Sequence, residues 1–297
     1  MAFLKKHTGA VYLLLAVLFL FAGFFVLNYR FNIIGSLILR FDKNSTRVPI
    51  LMYHHFADDG SPGTTISGET FESHMKALHD GDYNTITFEE LRAYVYDGAS
   101  LPERPVIITI DDGYTSVYDI AFPILKKYDL KATVFIIGIL HGETLYKDTQ
   151  YPIYPEHFGD AEALEMIGSG LISIQSHSYD MHQMEGYETG PFRQGVLRRE
   201  DESEEDYIAA FNADFKRASN QIANITGERP FVFSYPFGRH SDMSEELLRK
   251  NGVIATVTIV EGKSIVKRYS PECLFGLKRQ NVYGNYSVEK LLAMVRQ

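Results

Sequence analysis

Two adjacent aspartates and a glycine, Asp111-Asp112-Gly113, close an apolar run of Val, Ile and Thr that begins at Val106. A carboxylate at the end of such a run is costly to bury unless a cation or hydrogen bonds compensate. Two in succession raise each other's pKa. A divalent ion relieves that repulsion and leaves one carboxylate free to act as a base. Gly113 permits a tight turn or the close approach of a substrate to the backbone. Read by itself, the pair serves equally well as a cap on a helix over 114–128. Two histidines, in His177-Ser-Tyr-Asp-Met-His182, follow a second apolar run at 171–175. Their spacing of five is not the i, i+4 pair of a helical zinc site. It suits a strand end turning into a loop, with both imidazoles directed inward. Two imidazoles and one carboxylate make a facial ligand set with open positions, appropriate to a catalytic zinc or similar divalent ion.

The elements that must position these groups alternate along the chain. Short runs rich in β-branched and aromatic residues predict strands at 49–55, 84–87, 106–110, 132–137, 171–175, 231–234, 254–259 and 275–282. Helical patterns lie between them at 70–78, 88–96, 117–128, 161–166, 204–226, 244–250 and 287–295. Thr87 and Ser244 stand ahead of acidic residues as expected caps. Such alternation implies a parallel sheet wound right-handedly, which eight strands would close. The expected fold is a distorted (β/α) barrel of seven or eight strands, α/β in class, whose chemistry gathers where the strands end. Two stretches without period, 141–158 and 183–206, read as long loops able to overhang that mouth. The acidic residues of 200–206 read as a solvated helix start.

Taken in order, Thr109-Ile-Asp-Asp-Gly113, Ser176-His-Ser-Tyr-Asp-Met-His182 and Ser234-Tyr-Pro-Phe-Gly238 resemble the motifs of polysaccharide deacetylases with a NodB-type domain, carbohydrate esterase family 4. The resemblance runs from about Val48 to the C-terminus. It implies that Asp111 is the general base and that Asp112, His177 and His182 hold the ion, most simply Zn2+, with Co2+, Mn2+ or Ni2+ as alternatives. It implies removal of N-acetyl groups from amino sugars such as GlcNAc. Physical chemistry agrees, since an open metal position polarises an amide carbonyl and acidifies water. Backbone N–H groups around Tyr235 and Phe237 are expected to face the oxyanion.

The chain departs from the family pattern in two places. Ser234 stands where an arginine opens the third motif, and no histidine follows His240 to act as the late acid. In these respects it resembles the subgroup containing the poly-β-1,6-GlcNAc deacetylases, in which an N-terminal Tyr-His supplies the acid. Tyr53-His54-His55 then assigns His54 as general acid, with His55 as its competitor. On a strand the two would point to opposite faces, so only one can serve. Arg279, rather than Arg239, is expected to orient the base. Tyr114 joins Tyr179, Tyr235 and Phe237 as a ring able to stack on a sugar, although core packing is the usual fate of such rings.

A glycoside hydrolase is the enzyme alternative, but its two carboxylates must flank the substrate about 5–9 Å apart, which adjacent aspartates do not. A decayed, glycan-binding remnant is the non-enzymatic alternative. A net charge of -9 argues against nucleic acid as a partner. The single cysteine, Cys273, excludes an internal disulfide and a Cys-rich zinc site.

Of 297 residues, 1–10 read as a cytoplasmic start, 11–29 as a transmembrane anchor, 30–46 as a juxtamembrane linker and 47–297 as the catalytic domain. Lys5 and Lys6 precede an uncharged run over 11–27, long enough with Asn28 and Tyr29 to span a bilayer. The lysine bias predicts a single-pass membrane protein of bacterial type whose domain faces outward. No small-x-small cleavage site follows the run, which favours an uncleaved anchor over a signal peptide.

Overall fold

Eight parallel strands make one sheet: β1 (Ile50–Tyr53), β2 (Asn84–Thr85), β3 (Pro105–Ile110), β4 (Ala132–Ile136), β5 (Ile172–Ser176), β6 (Val232–Ser234), β7 (Ala255–Glu261) and β8 (Leu277–Asn281). Seven of them close a ring in the order β1-β8-β7-β6-β5-β4-β3, with β3 returning to pair with β1. The ring closes without β2. Only two residues long, β2 pairs alongside the first residues of β3, Asn84 opposite Pro105. The helices are α1 (Gly68–Asp80), α2 (Phe88–Arg92), α3 (Phe122–Tyr128), α4 (Asp160–Gly168), α5 (Glu204–Thr226), α6 (Asp242–Lys250) and α7 (Val288–Val295).

This computed structural model describes residues 17–19, 22–23, 44–147, 149–184, 186–188 and 190–296. The chain divides into two units, Met1–Thr46 and Arg47–Gln297. In the first unit, 17–19 and 22–23 are helical and exposed. The rest of the expected anchor at 11–29 lies outside the described residues, as does the expected linker up to residue 43. No helix among the described residues is long and apolar enough to cross a membrane.

Side-chain alternation along the strands builds two layers. Ile50, Ile107, Phe135, Val232, Val257 and Leu277 meet in one cluster inside the ring. Their neighbours Leu51, Tyr53, Ile108, Ile110, Val134 and Ile174 meet the helices instead, against Phe71, Met75, Leu125 and Leu291. A third cluster packs Tyr207, Phe211 and Phe215 of α5 and Leu247 of α6 against Phe233 and Tyr235. The period of two thus decides which residue at each strand end looks into the barrel.

Several local expectations shift. Thr87 does cap α2 in a reciprocal box with Glu90. Ser244, however, is not a cap: Ser241 caps α6, and Ser244 sits at the third helical position, where its hydroxyl accepts from the Ser241 N–H. The patterns at 88–96 and 117–128 are each helical throughout but contain a wider π turn, at Ala93–Asp97 and Val117–Ala121. Within the acidic run, Glu202 is not solvated. It forms a buried bidentate pair with Arg193, at 2.6 and 2.9 Å.

Candidate active site

The parity of β3 directs Ile107, Thr109 and Asp111 toward the barrel interior. There Asp111 meets Arg279 from β8. The guanidinium donates from Nη1 to Oδ1 at 2.7 Å and from Nη2 to Oδ2 at 2.6 Å. Arg279 is fully buried, and its other donors are used as well: Nε on the Thr258 carbonyl at 2.8 Å, Nη1 on Thr109 Oγ1 at 3.1 Å and Nη2 on Ser234 Oγ at 3.1 Å. Ser234 Oγ in turn donates to Asp111 Oδ2 at 3.2 Å. The small serine at the end of β6 therefore leaves room for an arginine that arrives from β8. Burial alone would push Asp111 up, but the charge of Arg279, helped by His177 and the guanidinium hydrogen bonds, holds it well below the usual carboxylate range. Arg239 is exposed and donates to Gln194 instead.

Asp112 follows in the left-handed region, with φ of 75°, ahead of Gly113 at 81°. Ser178 and Phe237, just after the ends of β5 and β6, are left-handed too, with φ of 73° and 56°. A non-glycine residue held there costs about 1–3 kcal/mol, and such strain gathers at functional sites. In each case the turn swings a strand end toward the same mouth. Gly138, at the end of β4, serves by having no side chain. A Cβ there would come within 2.6 Å of both Gln221 Oε1 and Tyr179 Cδ2 in the turn between the two histidines.

Asp112, His177 and His182 each offer one donor atom, and these atoms lie within 4.8 Å of one another. Asp112 Oδ1 is 3.5 Å from His177 Nε2 and 3.7 Å from His182 Nε2. It is buried and has no hydrogen-bond partner among the described residues. His177 Nδ1 donates to the Ser234 carbonyl at 2.8 Å, which leaves Nε2 as the lone-pair atom facing Asp112. Burial drives His177 down to about 4, against the pull of Asp111, so the ring is neutral at pH 7. A buried, unpartnered carboxylate oxygen facing the Nε2 atoms of two imidazoles is a donor set that fits a divalent ion.

His54 lies one residue beyond β1 and shares the inward parity of Ile50. It lies near enough to bear electrostatically on both Asp111 and Asp112, and its buried Nδ1 has no partner among the described residues. His55 belongs to a separate two-stranded ribbon, with Nδ1 bonded to Ser116 Oγ at 2.9 Å. Tyr53 takes the outward parity, and its hydroxyl donates to His74 Nδ1 at 3.3 Å.

Two expectations about the third motif change. Tyr235 is fully buried, because the inward parity of Ser234 forces its neighbour outward. Its ring stacks on His240 with centroids 4.3 Å apart, so it offers no face to a sugar. Its N–H donates to the Val257 carbonyl at 3.2 Å, and Pro236 has none. Phe237 remains: its N–H has no acceptor among the described residues, and its ring covers His182 at 4.1 Å. Tyr114 stands beside the ligands. Burial, then the charge of Asp112 and a hydrogen bond to it, push its hydroxyl up.

Sequence reasoning missed two supports. His157 Nδ1 donates to the Asp112 carbonyl at 3.0 Å and its ring meets Tyr114. Asp214 on α5 accepts the N–H groups of Tyr179 at 2.9 Å and Asp180 at 2.6 Å, fixing the turn between His177 and His182.

Comparison with known proteins bears on the family and the fold. Residues 98–256 match the family model described as polysaccharide deacetylase. YxkH of Bacillus subtilis (strain 168), a protein of polysaccharide-deacetylase type, is 32% identical over 220 residues, 74% of this chain and 67% of its own length. The poly-β-1,6-N-acetyl-D-glucosamine N-deacetylase of Staphylococcus epidermidis is 26% identical over 200 residues, 66% of this chain and 62% of its own. Among solved structures, IcaB from Ammonifex degensii superposes with a TM-score of 0.67 at 24% identity, over 84% of this chain and 97% of that one. That likeness is one of fold.

Proposed function

Because the chain belongs to the polysaccharide deacetylase family, we propose that it uses a divalent ion to hydrolyse N-acetyl groups on a GlcNAc-containing cell-wall or extracellular polysaccharide, releasing acetate. The observation that carries this reading is the Asp112–His177–His182 donor cluster beside a carboxylate, Asp111, that does not join it. Asp112, His177 and His182 would hold the ion, which supplies Lewis acidity toward the amide carbonyl and the attacking water.

Asp111 takes the proton of the attacking water. Arg279 and Ser234 occupy three of its acceptor positions, so the proton goes to the remaining lone pair of Oδ1. Arg279 fixes the carboxylate plane and keeps it ionised. The Phe237 N–H, free of any other acceptor among the described residues, would stabilise the oxyanion as it forms. His54 gives its proton to the departing sugar nitrogen, which otherwise leaves as a poor anionic group. The poly-β-1,6-GlcNAc deacetylase relatives support that linkage as the first substrate to try. The uncharged, lysine-flanked run at 11–27 supports an anchored enzyme that acts outside the cell membrane.

Acetate release from acetylated β-1,4 and β-1,6 GlcNAc oligomers and peptidoglycan fragments tests the reading. The metal-stripped full chain in detergent is assayed with and without Zn2+, Co2+ or Mn2+. Metal-dependent release that Asp112→Ala and His177→Ala abolish supports it. Metal binding with no release from any substrate would point to a glycan-binding remnant.

A further inference from the structure

An apolar cavity of about 80 Å³ opens beside His182 of the ligand set. Tyr114, His157 and His182 form its inner side, and Ile137, Leu140 and Ile153 part of its wall, which three further tyrosines and Met184 complete. Most of the wall comes from the loop after β4, and ionic bonds tie that loop to the ligand turn and to the loop beyond it. Lys147 Nζ is 2.9 Å from Asp180 Oδ1 and 2.7 Å from Glu188 Oε1, and the Tyr146 hydroxyl donates to Glu188.

In an amide bound at the ligand set, the carbonyl carbon carries two substituents, the sugar nitrogen and the acyl chain, which point in different directions. The nitrogen must face its proton donor. His54 and Asp111 lie toward the barrel interior, and neither lines the cavity. The acyl chain is therefore the substituent directed into the cavity, whose largely apolar wall suits it. Size then becomes informative. Allowing the upper figure of about 15 Å³ for a single water, the cavity has room for at least about five heavy atoms, whereas acetyl supplies one methyl.

Resting on the deacetylase reading, we propose that this cavity is an acyl-chain pocket and that the enzyme also cleaves N-acyl amino sugars with chains longer than acetyl, up to about six carbons. The reaction remains a hydrolysis. The oxygen of water bonds to the carbonyl carbon, and the C–N bond breaks with its electron pair passing to nitrogen. The nitrogen takes up a proton, so a free amino sugar and a short-chain carboxylic acid are released.

The test compares N-acetyl, N-propionyl, N-butyryl and N-hexanoyl glucosamine oligomers on the metal-loaded full chain, reading liberated amine. Buried methylenes are expected to hold kcat/KM for propionyl and butyryl within about tenfold of acetyl or above it, with gains of up to about fourfold per methylene. Ile153→Phe should lower the butyryl-to-acetyl ratio at least tenfold. It should also remove the saturation-transfer NMR signal of hexanoate bound to the metal-free protein. Acetyl cleavage with propionyl and butyryl more than 100-fold slower would overturn the pocket and leave the deacetylase standing. Equal loss on all acyl lengths in Ile153→Phe would assign the cavity to a sugar ring and overturn it too. Cleavage of no substrate at all would overturn the deacetylase reading itself.

Discussion

Arg279 and Asp111, 168 residues apart, form a bidentate pair inside the barrel at 2.6 and 2.7 Å, with the guanidinium fully buried. Removing one partner of such a pair strands a charge and costs about 3–5 kcal/mol. Arg279→Ala should therefore lower unfolding stability by about that amount at pH 7, measured in urea, and abolish turnover. Asp111 is held below its unfolded pKa of about 3.9. The pair's contribution is thus complete above about pH 4, begins to fade as the unfolded carboxylate takes up its proton, and is gone below the lower folded value. A stability loss in Arg279→Ala that is equally large at pH 3 would mean that packing, not charge, is what the arginine provides.

His54 and His55 separate in a kinetic comparison. His54→Asn should cut kcat by about 10²–10⁴ with little change in KM and remove the alkaline limb of the pH profile. His55→Asn loses only the bond to Ser116 and should cost less than about tenfold. The reverse order would make His55 the acid.

Asp214 should act on the metal at second hand. In Asp214→Asn the amide keeps one acceptor and turns an N–H toward another N–H, loosening the 177–182 turn. Outer supports of this kind are worth about 10–100-fold in metal affinity, measurable by chelator competition. Unchanged affinity with unchanged fold would show that the turn holds its shape alone.

His177 should titrate at about 4 in the metal-free protein, rather than near 6.5. Because this folded pKa lies below the unfolded one, the histidine favours the native state above pH 6.5. That contribution is lost as pH falls from 6.5 toward 4, since the unfolded chain binds the proton first. Histidine ring NMR on the metal-free protein reads the pKa directly. A midpoint near 6.5 would mean that the ring is hydrated.

Much of this was legible beforehand because it is local. Val106-Ile-Ile-Thr-Ile110 announces a buried strand, and the residues that follow it must stand at its end. The outward turn of Tyr235 followed from the same alternation, since Ser234 and Tyr235 on one strand cannot both face inward, yet its ring was expected at the sugar. Asp214 was not, because an acidic residue midway along a 23-residue helix looks solvated until the helix is docked. The same holds for His157, in a loop without period, and for Glu202, whose partner Arg193 lies outside any regular element. The cap on α6 was misplaced by three residues because Ser241 and Ser244 both carry capping chemistry, and only backbone geometry separates them.

Ring closure by the final strand has a consequence for synthesis. Chains emerge from the ribosome at about 5–20 residues per second, so about 8–34 seconds separate the appearance of Asp111 from that of Arg279. Throughout that interval the first strand has only one of its two neighbours, because β8 has yet to be made. Early collapse would bury a carboxylate with nothing to neutralise it. Closure around Asp111 is thereby favoured only once Arg279 has been made, and charge biases the order of assembly. A polypeptide cut short before β8 would fail as a folding unit, and quality control would meet it as unpaired strand edges rather than as a slow enzyme.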